Sequence, residues 1–170
     1  MLNLINTYNT NKFFSAIGHL YELEQRISEW QQIKLVNKEE IERDLFSIQR
    51  TISDFQDLYY DYNIIYSEQV RLPFLVDEWF QGFRKELLKL RNSTSSSIIE
   101  LKTEDLNYLK KFNNQLKQIN IVSENIFDYD FGVPDSTKEK ISKKGFLNDL
   151  SWRKWIQEVE SIILSTNSTN

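Results

Sequence analysis

The sequence predicts an all-α fold, an antiparallel bundle of five or six helices around one long central helix. Three observations predict it. The 170-residue chain has only four glycines and two prolines, whereas sheet-rich folds need turn residues about every 10 residues. Large apolar side chains recur at gaps of three and four along most of the chain, the spacing of a helix with one buried face. Helix-start signals of the Asn, Ser or Thr type stand between these stretches. With 40% hydrophobic and 14% aromatic residues, one domain with a substantial core is expected over residues 1–166, followed by a disordered tail at 167–170.

The elements follow in order. A first helix is expected from about Asn11 to Lys34, its stripe running through Phe13, Ile17, Leu20, Ile27 and Trp30. Asn37 opens the second helix. NKEE there reads as a capping box, with Asn37 accepting from the Glu40 amide and Glu40 reaching back. This helix is expected to run to about Val70 and to stop before Pro73, because the residue preceding a proline avoids the α region. The third helix places Pro73 near its first turn and steps through Val76, Phe80, Phe83, Leu87 and Leu90. NSTSSS is a polar connector, and Ile98–Leu101 is either a short extended piece or a first helical turn. Thr103 caps a fourth helix through Leu109 and Leu116 to about Ile126. FDYDFGVPD, Phe127 to Asp135, is a clear break. A short capped helix from Ser136 to Gly145 precedes a last one from Asn148 or Asp149 to about Leu164.

Within the second helix, Ile41, Leu45, Ile48, Ile52, Phe55, Tyr59, Tyr62 and Tyr66 form a continuous seam. Its Phe and Tyr half is too bulky for a tight two-stranded coiled coil, which favours Ile, Val and Leu. The outer positions Leu58, Ile64 and Ile65 turn apolar as well, so this end needs neighbours on several sides. The expectation is a bundle helix, with a helical oligomer as the alternative.

Composition narrows the chemistry. Without cysteine there is no thiol nucleophile, thiolate metal site or disulfide. One histidine, His19, cannot build a His-rich metal centre, and a satisfied or surface imidazole is its expected role. No metal and no cofactor are expected. Asp54, Asp57 and Asp61 share one helix flank, and Glu39 with Glu42 makes an E-x-x-E. The E-x-x-D partner that an all-α metal-dependent nucleotide hydrolase would add occurs nowhere in the chain. A solvated acidic face is the better reading, and the hydrolase ranks third among functions. Asp128–Glu139 has acids at calcium-loop positions 1, 3 and 12, but Val133 stands where that loop requires glycine. The segment reads as an inter-helix turn.

The net charge of −4 gives no general attraction to a phosphate backbone. The most basic stretch carries Lys143, Lys144, Arg153 and Lys154 among Phe146, Trp152 and Trp155, a pattern compatible with polyanion binding. A nucleic-acid-binding accessory subunit is therefore the second expectation. The first is a non-enzymatic protein-protein interaction module (an adaptor, an inhibitor or immunity factor, or an accessory subunit), either a monomer or a small homo-oligomer. Its candidate partner contacts are Leu58, Tyr60, Ile64, Ile65 and Trp79, because interfaces favour large aromatic and aliphatic side chains. No window is apolar enough for a membrane span, and the first residues lack a basic leader with an apolar run. A cytoplasmic location without membrane contact is expected.

Overall fold

The computed structural model describes residues 2–62, 75–127 and 147–168. Within them run α1 (Leu2–Ile33), β1 (Leu35–Asn37), α2 (Lys38–Asp61), α3 (Leu75–Arg91), β2 (Ile98–Glu100), α4 (Thr103–Phe127) and α5 (Asp149–Ser168). The fold is the all-α bundle that the apolar spacing predicts. The expected continuation of the second helix towards Val70, the Pro73 turn, the acidic loop and the short helix after Ser136 lie outside the described residues.

Side-chain pairs fix the directions. Lys12 reaches Asp57 and Trp30 reaches Glu40, so α1 and α2 are antiparallel. Gln56 meets Asp77 and Arg91 meets Glu42, so α2 and α3 are antiparallel. Asn113 bonds Ser28 while Asn120 bonds Glu24, so α4 runs against α1. Close backbone approaches join α1 to α2, α2 to α3, α3 to α5, α5 to α4 and α4 to α1, a closed ring. The described part of α2 is one wall of this ring, and α1 is the longest described helix.

The aromatic surplus fills the ring. Trp152 and Trp155 of α5 are fully buried. Trp155 stacks on Phe55 of α2 at 5.3 Å and meets Phe13 of α1 edge-on at 5.1 Å. Trp152 stacks on Tyr62 at 5.8 Å. A second cluster is centred on Phe112 of α4, which stacks on Phe83 at 4.1 Å and on Trp79 at 4.5 Å. Each buried aromatic contributes about 1.5–3 kcal/mol through lost apolar hydration, with roughly 0.5–1.5 kcal/mol more for a well-placed ring pair. The buried indole N–H of Trp155 donates to Ser123 Oγ at 2.8 Å, so its polar atom is satisfied inside the core.

The connectors at one end of the bundle pair with each other. β1 and β2 form an antiparallel ribbon with Val36 opposite Ile99, both buried. Ile98–Leu101 is thus extended at its start. The Leu101 amide donates to the Lys34 carbonyl and the Lys38 amide to the Ser97 carbonyl, which closes the ladder at both ends. Lys34 takes a left-handed backbone, φ 60°, to turn the chain out of α1 into β1. This conformation usually falls to glycine at a helix C-terminus.

Three boundaries differ from the expectation. α1 begins at Leu2 rather than near Asn11. Its Asn- and Thr-rich start has poor intrinsic propensity, and tertiary contacts override it: Asn9 and Thr10 are buried, and Thr10 Oγ1 accepts from the Leu147 amide at 2.7 Å. α5 continues past Leu164 to Ser168 and so takes in residues assigned to the tail. At α2, Asn37 caps the Glu39 amide at 2.9 Å rather than that of Glu40. Glu40 instead accepts from the buried Trp30 indole at 2.7 Å, and an indole N–H without an acceptor costs more than an exposed cap gains.

Candidate functional site

Lys12, His19 and Arg26 recur every seventh residue of α1, two turns apart on one flank. Each meets α2: Lys12 pairs with Asp57 at 2.9 Å, His19 Nδ1 lies 3.3 Å from Thr51 Oγ1, and Arg26 pairs with Asp44 at 3.0 Å. The antiparallel crossing sets these rungs side by side. Between the second and third rungs opens a cleft lined by His19, Glu22, Arg26, Asp44, Ser47 and Thr51, with Leu23, Ile48 and Phe80 as its apolar wall. It encloses about 20 Å³.

Asp44 is the unusual member. It is 2% exposed on a helix whose other charges face solvent or its rim. Burial pushes its carboxyl up from the ordinary 3.8 to about 6. Arg26 pulls the other way but does not overcome the loss of water, and Glu40 and Glu22 add to the rise. Only one of its oxygens is engaged by Arg26. Asp44 Oδ2 and Arg26 Nε are both buried without a hydrogen-bond partner.

A hydroxyl beside an imidazole, as at Thr51 and His19, is the beginning of a nucleophile and base pair. The cleft nevertheless has room for about one water, which needs roughly 10–15 Å³. No family model, curated protein or solved structure matches this chain. The site rests on its own geometry.

The structure separates the residues proposed from the sequence as partner contacts. Leu58 is fully buried, and Trp79 is half-buried, stacked on Phe112 with its indole N–H on Gln115 at 2.9 Å. Leu58 serves the interior, which corrects its assignment to a surface, whereas Trp79 packs against the core and stays partly accessible. Leu58 lies in the core that the ring encloses, and Trp79 of α3 packs on α4 through Phe112 and Gln115. Tyr60 is 69% exposed. Ile64, Ile65, Lys143 and Lys144 lie outside the described residues. Arg153 is exposed and pairs with Asp149 one turn earlier at 2.9 Å, while Lys154 is exposed. Of the acidic flank, Asp57 is held by Lys12, and among the described residues no group of three potential ligands is placed to hold a metal. No helix among them is long and apolar enough to cross a membrane.

Two features escaped the sequence reading. The cleft was signalled by the heptad spacing of Lys12, His19 and Arg26 against Asp44 and Thr51, themselves seven apart. The other is a pair of exposed apolar residues on the outer face of the ribbon, which they share with Asn37 and Glu100. Val36 and Ile99 point inward, so the alternate residues Leu35 and Ile98 point out, diagonal neighbours within side-chain reach. They are 39% and 45% exposed, and Ile33 at the end of α1 is 63% exposed. The other exposed large apolar residues among those described are scattered over four helices.

Proposed function

We propose that this chain is a non-enzymatic protein-binding module whose docking surface is the ribbon end of the bundle. The observation that carries the reading is the exposure of Leu35 and Ile98 on the outward face of the ribbon, where two of the chain's connectors meet, with Ile33 exposed at the adjoining end of α1. Single exposed apolar residues are ordinary, whereas a grouped set marks an interaction surface. A two-stranded ribbon has two outer edges, to which an extended peptide can add as a further strand. Aromatic side chains, the first reason to expect an interface, are mostly spent on the core and do not support this surface.

The test is a double substitution, Ile33→Glu with Ile98→Lys. Both positions are exposed, so stability should change by no more than about 0.5 kcal/mol each. A partner recovered with the wild-type chain from its native host should be lost with the variant. Light scattering of both proteins distinguishes a foreign partner from a second copy. Equal recovery by both proteins, or a wild-type monomer that recovers nothing, would refute the reading.

A further inference from the structure

Arg26 and Asp44 meet through a single contact, Nη2 to Oδ1 at 3.0 Å, although a guanidinium fork and a carboxylate are suited to two parallel bonds. The second donor, Arg26 Nε–H, and the second acceptor, Asp44 Oδ2, are both buried and unpartnered. Both residues line the α1–α2 cleft, with its volume of about 20 Å³. The chemistry of these two atoms defines what fits between them. A cation cannot accept from Nε–H. An anion cannot donate to Oδ2, and Glu22 on the same wall adds further repulsion. The group must accept one hydrogen bond and donate another, and the volume limits it to about the size of one water.

We propose that the cleft is a binding site for one internal water molecule, which accepts from Arg26 Nε–H and donates to Asp44 Oδ2. The hydroxyls of Ser47 and Thr51 on the same wall supply further partners, within the two to four that buried waters usually have. The Arg26–Asp44 contact is then a three-membered clasp holding α1 to α2, with water completing the fork. This site is independent of the ribbon surface, and its test does not depend on any protein partner.

A crystal structure of the full chain, at a resolution where ordered water is visible, tests it directly. The expected result is a water within about 2.7–3.2 Å of both Arg26 Nε and Asp44 Oδ2. A direct two-bond pairing of Nε and Nη2 onto the carboxylate, or a cleft without density, overturns the proposal. In solution, water relaxation dispersion counts long-lived internal waters. The wild-type chain should hold one more than the double variant Arg26→Met/Asp44→Leu, which removes both charges together. Equal counts in the two folded proteins also overturn it. If the double variant does not fold, the crystal structure alone decides.

Discussion

Asp44 gives the chain an acid response opposite to that of a typical carboxylate. Its native-state value of about 6 lies above the ordinary 3.8, because burial disfavours the charged form more than Arg26 favours it. The native state therefore takes up the proton before the unfolded chain does. Stability contributed by this group is absent at pH 7 and grows as pH falls through about 6, until the unfolded carboxyl also protonates near 4. At about 1.4 kcal/mol per unit of pKa, the gain is about 1.4 kcal/mol by pH 5 and about 2.5 kcal/mol by pH 4. The perturbation is Asp44→Asn, which keeps the shape and removes the titration. Urea unfolding of both proteins at pH 7, 6, 5 and 4 is the assay, and the quantity of interest is the wild-type minus variant difference. The neighbouring charges of Arg26, Arg43, Glu40 and Glu22 are present in both proteins, so their other contributions largely cancel in the difference. The difference should shift towards the wild type by about 2 kcal/mol between pH 7 and pH 4. A difference that is flat with pH, or that shifts towards the variant, would refute the view that burial outweighs the ion pair.

Lys34→Gly should raise stability by about 1 kcal/mol, read as a shift in urea midpoint, because a left-handed backbone at φ 60° costs a side-chain-bearing residue that much and costs glycine little. Leu58→Ala should cost about 2–5 kcal/mol as a core truncation, whereas Tyr60→Ala, two residues away and exposed, should stay within about 0.5 kcal/mol. Similar losses at the two positions would contradict the assignment of Leu58 to the interior. Ser123→Ala leaves the buried Trp155 indole N–H without its acceptor and should cost about 1–3 kcal/mol, with a blue shift in tryptophan emission as the loss of the hydrogen bond changes the indole environment. An unchanged melt for this variant would mean that the indole finds another acceptor.

The fold class was legible because it follows from local spacing. Residues such as Val76, Phe80, Phe83 and Leu87 at gaps of four and three face one way on any helix, and each is buried in the structure. Thr103, expected to cap the fourth helix, is its first residue; Lys102 holds the cap position, its amide donating to Asp105. The partner surface was not legible in the same way. Leu58 and Trp79 read as surplus apolar surface because a one-dimensional stripe says which faces are apolar but not how many neighbours cover them. The ribbon face was missed for a related reason. Ile98 and Leu35 are more than 60 residues apart, and only the pairing of two connectors brings them to one side of the bundle.

By itself, then, the sequence determined that this chain folds as helices, where most of them begin, and which side of each is buried. Helical periodicity and end-capping act over a few residues, and their physics is complete within that range. Tertiary structure alone decided the ring order, with α5 between α3 and α4, and the burial of Asp44 against Arg26. It likewise decided that Glu40 serves Trp30 instead of its own helix end. Those outcomes depend on competition between partners distant in sequence for the same buried space. A buried charge or indole N–H that loses that competition costs more than a local cap contributes, so long-range contacts override the local signal.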